Sequence, residues 1–165
     1  MSDPKRVAVL TTGRQDWGLL RPLCAALKDD DRFELLLLVG GMALCPEFGG
    51  TIDEIRSLGF HVNAELDFDV TRNDAAAQAA AALGLVAARL RENRPDALVL
   101  LGDRYETAGA AVAATIEGVP VVHLFGGEET EGAFDNSLRH AITKLSHLHF
   151  VAHDDYARRL VQMGE

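Results

Sequence analysis

The stretch Ala97-Leu98-Val99-Leu100-Leu101-Gly102-Asp103-Arg104-Tyr105-Glu106 decides how this chain folds. Its first five residues are short and apolar throughout, and they follow Pro95, which is the pattern of a strand buried on both faces. From Thr107 to Ile116 the sequence is Ala-rich and reads as a helix. An acid and a base therefore sit on the turn between a buried strand and the helix that follows it. In an open parallel sheet ligands bind at the carboxyl ends of the strands, so Asp103 is the first candidate for a working residue. Capping the helix is the competing role for this aspartate, and one side chain can serve both.

The same alternation runs in both directions from there. Upstream, strands are predicted at Val7 to Thr11, Phe33 to Val39 and, more weakly, Phe60 to Leu66. Helices are predicted from Gly18 to Leu27, Thr51 to Leu58 and Asp74 to Glu92, the last preceded by a polar linker from Asp67 to Asn73. Downstream come a strand at Val119 to Leu124, a helix from Asp135 to Ser146, a strand at Leu148 to Val151 and a helix from Asp154. Apolar strands separated by helices predict a doubly wound, Rossmann-like parallel α/β sheet. The Ala-rich run Ala75 to Ala82 is apolar enough to be either deeply buried or shared with another subunit.

A length of 165 residues fits one domain able to close its own core. The sequence ends at Glu165, in or just past the last helix, and reads as the front half of a two-domain protein. A hydrophobic fraction of 48% and a mean hydropathy near zero fit a soluble protein. No run approaches the length of a membrane span and no secretory leader is evident, so a cytoplasmic location is expected. The net charge of −9 argues against nucleic acid or an anionic membrane as partner, while Arg14, Arg104 and Arg139 remain available to a phosphate. Cys24 and Cys45 lack metal-ligand spacing, and His147, His149 and His153 have no acidic partner at ligand spacing. Neither a metal nor a cofactor is expected.

Other strand ends carry further candidates. Thr12-Gly13-Arg14 follows the first strand and opens a helix, where an anion is favoured, although the turn lacks a dinucleotide fingerprint. His123-Leu124-Phe125-Gly126-Gly127-Glu128 follows the fifth, so that Glu128 and Asp103 come from adjacent strand ends. Paired carboxylates in unlike surroundings can divide acid and base roles. Gly126 and Gly127 permit tight backbone and N–H donors toward a ligand, and His123 is either a ligand or a satisfied buried histidine. Asp135, Arg139 and His140 open the next helix on the same side; a cap with a surface ion pair is the plainer reading of the first two.

Together these segments resemble the N-terminal half of the hydrolysing UDP-N-acetylglucosamine 2-epimerases, in particular the branch of sialic-acid biosynthesis. The similarity rests on Thr12-Gly13-Arg14 with Asp16, on Leu101 to Glu106, on His123 with Gly126-Gly127-Glu128, on Thr130 to Asp135, and on Arg139 to Phe150. It implies one half of a GT-B-type two-domain fold with a nucleotide sugar in the interdomain cleft. It further implies conversion of UDP-N-acetylglucosamine to N-acetylmannosamine and UDP by elimination and rehydration, in a homodimer formed through this domain. Asp103 and Asp135 would be acid/base carboxylates, Glu128 a supporting carboxylate, and Arg14 a phosphate contact. Arg104, His123, Gly126, Gly127, Arg139 and His140 would line the substrate site. Phe125 stands where many relatives carry Glu or His, and Ala43 where they usually carry His. The second domain would supply most of the uridine site, so residues 1–165 alone are expected to be inactive. Alternatives are a glycosyltransferase of the same architecture and a non-catalytic nucleotide-sugar-binding or oligomerisation module.

Overall fold

A computed structural model describes residues 3–71, 74–130 and 134–165. Six parallel strands form one sheet: β1 (Lys5–Thr11), β2 (Phe33–Gly40), β3 (Ala64–Leu66), β4 (Ala97–Leu101), β5 (Val121–Leu124) and β6 (Leu148–Phe150). Their order across the sheet is β3-β2-β1-β4-β5-β6. Val9 of β1 is in register with Leu37 of β2 on one side and with Val99 of β4 on the other. The chain thus builds outward from β1 in one direction, then returns to build outward in the other. Six helices join the strands: α1 (Arg14–Lys28), α2 (Thr51–Ser57), α3 (Ala75–Asn93), α4 (Tyr105–Glu117), α5 (Asp135–Lys144) and α6 (Asp154–Met163).

Alternate residues of each central strand face opposite cores, which is why the strands are apolar throughout. Ala8, Leu10, Leu36, Leu38, Leu98 and Leu100 pack with Val86 and Leu90 of α3, with Ala110 and Ala114 of α4, and with Ile142 of α5. Val9, Leu37, Val39 and Val99 pack with Trp17, Leu20 and Cys24 of α1 and with Ile52 and Ile55 of α2. Helices on both faces confirm the doubly wound α/β class. The Ala-rich α3 lies against α4 at the distance set by Gly109, where an added Cβ would stand 2.4 Å from the Ala79 carbonyl oxygen. One of its faces is therefore buried within the domain, while Ala75, Ala76 and Ala77 are exposed.

Several boundaries differ from those predicted. α1 begins at Arg14 rather than Gly18, because Asp16 accepts hydrogen bonds from the Thr12 N–H and hydroxyl at 3.1 and 2.6 Å and seats the first turn at once. β3 is cut to three residues: Asn63, ahead of it, donates its N–H to Leu37 and accepts the Leu37 N–H on its side chain. The segment Gly41–Phe48 holds two short 3-10 turns that hydropathy does not reveal. Met1, Ser2, Arg72, Asn73, Glu131, Gly132 and Ala133, parts of which enter the predicted linker and the motif from Thr130 to Asp135, lie outside the described residues. Among the described residues no helix is long and apolar enough to cross a membrane, and no group of three or more His, Cys, Asp or Glu side chains is arranged to hold a metal ion.

Candidate active site

The strand order reverses between β1 and β4, so the loops leaving their carboxyl ends diverge and open a crevice there. Two contiguous hollows occupy it, of about 370 and 380 Å³. The first is lined by Gly13, Arg14, Gln15, Asp16, Met42, Phe48 and Arg104. The second shares Gln15, Asp16 and Arg104 with it, and adds Asp103, Tyr105, Phe125, Glu128, Phe134, Asp135, Arg139 and Leu19. Asp103, Glu128 and Asp135, drawn from three different segments, therefore line one cleft together with Arg104 and Arg139.

Gly102, at φ +76°, turns the chain out of β4 ahead of Asp103. The expected capping role is not found: Arg104 is the N-cap of α4, and Asp103 is paired with Arg139 instead. Arg139 is 6% exposed and also donates to the Thr130 hydroxyl at 3.3 Å. The expected surface pair between Asp135 and Arg139 is likewise replaced, because Arg139 turns inward toward the end of β4. Asp135 is left as the first residue of α5, half-buried.

Arg104 is fixed from below. Glu106 is fully buried and receives its guanidinium at 2.7 Å. Burial alone would lower the Arg104 pKa, but the Glu106 carboxylate, with Asp16 nearby, raises it instead. Arg104 is therefore a permanent cation in the lining of both hollows. Burial, followed by Glu106, also raises the Tyr105 pKa, which keeps its phenol protonated; its hydroxyl donates to Gln78 at 3.0 Å. Glu106, Gln15 and Tyr105 were not among the predicted site residues. A charged side chain in the first turn of an otherwise Ala-rich helix was the available signal for Glu106.

His123 is completely buried beneath the cleft rather than in it. Its Nε2 lies 2.8 Å from the Gly102 carbonyl and its Nδ1 lies 3.2 Å from the Thr143 hydroxyl. A carbonyl only accepts, so the proton sits on Nε2 and Nδ1 accepts from Thr143. Burial, against the weaker raising effect of that carbonyl, pushes the imidazole down to about 4, so it is neutral at pH 7. This residue ties the β4 turn to α5 and has no nitrogen left for a ligand.

Gly126 and Gly127 are buried too and do not line the cleft. A Cβ on Gly126 would meet His123 Nδ1 and Thr143 Oγ1 at 3.0 Å, and one on Gly127 would lie 2.5 Å from Leu160 Cδ1. Their tightness admits α5 and α6, not a ligand. His140 does not line the cleft either, and Ala43 is fully buried in the α1 core with its N–H donated to the Thr12 carbonyl at 2.9 Å. Met42 beside it is the residue that reaches the hollow. Phe125 does line the cleft, at φ +63°. That conformation costs a bulky residue about 1–2 kcal/mol.

This arrangement defines a doubly wound α/β domain with an acid-and-arginine cleft at its topological switch point, of the kind that forms one half of a GT-B fold. The chain belongs to the UDP-N-acetylglucosamine 2-epimerase family, whose model matches residues 25–165. It is 37% identical over 164 residues to the GDP/UDP-N,N'-diacetylbacillosamine 2-epimerase (hydrolyzing) of Campylobacter jejuni, covering 98% of this chain and 42% of that protein. A UDP-N,N'-diacetylbacillosamine 2-epimerase (hydrolyzing) of Legionella pneumophila is also 37% identical, over 98% of this chain and 43% of its own length. The chain thus spans less than half the length of the curated relatives it matches. In fold it superposes, at a TM-score of 0.86 and 18% identity, on a UDP-GlcNAc 2-epimerase from Neisseria meningitidis bound to UDP-GlcNAc, over 97% of this chain and 43% of the other.

Proposed function

We propose that this domain contributes the acid/base half of a hydrolysing 2-epimerase that converts UDP-N-acetylglucosamine to N-acetylmannosamine and UDP. The observation that carries the reading is the meeting of Asp103, Glu128 and Asp135 in one cleft with Arg104 and Arg139. The proton on carbon 2 of the sugar is weakly acidic, so its removal needs a positioned base, and the departing diphosphate needs cationic stabilisation. In the proposed sequence one carboxylate takes that proton while the bond from carbon 1 to the diphosphate breaks, giving UDP and an unsaturated sugar. Water then adds across the double bond: hydroxyl to carbon 1, and a proton from a second carboxyl to the opposite face of carbon 2. Asp103 and Asp135 take the acid/base parts, Glu128 supports them, and Arg14, exposed at the amino end of α1, meets the diphosphate. Arg104 and Arg139 bind within the cleft, and no cofactor takes part.

In this reading the rest of the nucleotide site comes from a second domain, so residues 1–165 alone release no UDP. The enzyme works in the cytoplasm as a homodimer, with the exposed alanines that open α3 as part of the shared surface; analytical ultracentrifugation checks the dimer. The Campylobacter and Legionella names make N,N'-diacetylbacillosamine the second sugar to assay. The test is turnover of UDP-N-acetylglucosamine by the full-length gene product, with UDP and N-acetylmannosamine both measured. Asp103→Asn is expected to lower kcat/KM by about 10²–10⁴-fold, the usual worth of a positioned acid or base. Wild-type release of UDP with unchanged N-acetylglucosamine would contradict the epimerisation.

A further inference from the structure

A buried charge that the proposed chemistry does not use is the carboxylate of Glu106. It carries no exposed surface, and both of its hydrogen bonds among the described residues come from Arg104, Nε to Oε2 at 3.2 Å and Nη2 to Oε1 at 2.7 Å. A carboxylate in the first turn of a helix ordinarily serves the free N–H groups there, yet α4 has no side-chain cap and this acid serves a guanidinium instead. The fold alone does not favour such a pair. Thr107, Ala110, Ala111 and Ala114 already seat α4 by burial, and apolar residues of like volume hold a helix at least as well as a buried ion pair does. What the pair does fix is one edge of a donor. A guanidinium offers two donor edges, and Glu106 takes the one formed by Nε and Nη2. The other, formed by Nη1 and the second Nη2 proton, has no hydrogen-bond partner among the described residues. Arg104 is also the arginine common to the linings of both hollows. The acid that shares both linings with it, Asp16, is engaged by the Thr12 N–H and hydroxyl. Arg139 differs, because its acid partner Asp103 is itself part of the cleft.

We infer that Glu106 is a positioning residue for the reaction: its buried carboxylate holds one edge of the Arg104 guanidinium so that the other meets the diphosphate as the bond to carbon 1 breaks. This rests on the epimerase reading of the same site. Without the carboxylate a long, rotamer-rich side chain has to be ordered again in every turnover. A preorganised donor counts most where charge develops, which in this reaction is on the departing diphosphate. Glu106 touches no substrate, so its loss is felt through Arg104, and in kcat more than in KM.

The experiment measures kcat and KM for UDP-N-acetylglucosamine, and calorimetric binding of UDP, on the full-length protein. The variants are Glu106→Gln, which keeps the shape and removes the charge, Arg104→Met, and the two together, each checked for folding by circular dichroism. Where Glu106→Gln does not fold, Glu106→Asp, which carries the charge one methylene short, takes its place in the same comparison. Glu106→Gln is expected to lower kcat about tenfold, short of the 10²–10³ that removal of a preorganised donor costs, with KM changed less than about threefold. UDP binding is expected to weaken several-fold as well. In the Arg104→Met background the same substitution is expected to change kcat and UDP binding less than twofold. A folded Glu106→Gln enzyme with kcat within twofold of the wild type overturns the positioning role. A Glu106→Gln loss that is undiminished without Arg104 overturns it too, because the carboxylate would then act on the fold at large, and so does a wild type that binds no UDP. Absence of turnover in every form, with UDP binding that depends on Glu106 only while Arg104 is present, would remove the epimerase reading and leave the positioning role standing.

Discussion

Glu106 shows how much of the site is decided by single buried side chains. It carries no exposed surface, yet it holds the Arg104 guanidinium that both hollows share. Glu106→Ala leaves Arg104 without its counter-charge beneath the cleft and is expected to destabilise the domain by about 2–3 kcal/mol, measured by urea denaturation; an unchanged midpoint would mean that the pair carries no stability. The place of Asp103 in the cleft was legible because a carboxylate follows a buried strand by one glycine. Its partner was not, since sequence spacing pointed to a helical neighbour of Asp135 while the real contact spans 36 residues. His123 is a similar case. Its place at the end of an apolar run announced burial, but only the three-dimensional approach of Gly102 and Thr143 shows both nitrogens occupied.

At the scale of elements, the turn that leaves β5 through Gly126 and Gly127 is set by backbone shape and close approach. Gly127 has φ +79°, and a Cβ there would also stand 2.7 Å from the Tyr156 carbonyl oxygen of α6. Gly127→Ala must therefore both strain the loop and push α6 away, an expected loss of about 2–4 kcal/mol seen as a lower thermal midpoint with secondary structure retained. The glycine pair was visible in the sequence, but its purpose was not, because ligand approach and helix approach demand the same residue. Long elements such as α3 and α4 were read nearly to their ends from composition alone. The short turns of Gly41–Phe48 were not, because their form comes from tertiary hydrogen bonds such as Ala43 to Thr12.

Over the whole molecule, neutral His123 couples the fold to pH. Its folded pKa of about 4 lies below the ordinary 6.5, so between those values the unfolded chain binds the extra proton. Stability from this residue is complete above pH 6.5, falls as pH drops through that window, and has lost about 3 kcal/mol by pH 4. His123→Gln should flatten this part of the stability–pH curve, and a curve of unaltered slope would place the titration elsewhere. The strand order β3-β2-β1-β4-β5-β6 brings every proposed catalytic carboxylate to the cleft at the carboxyl ends of the strands, and that convergence is what the functional account depends on. The most direct test is turnover of UDP-N-acetylglucosamine by the full-length protein in deuterated water, with the product read by NMR. Proton abstraction in the cleft predicts one deuterium at carbon 2 of every N-acetylmannosamine formed, and loss of product in Asp103→Asn. Product that retains its original proton at carbon 2 would contradict the account.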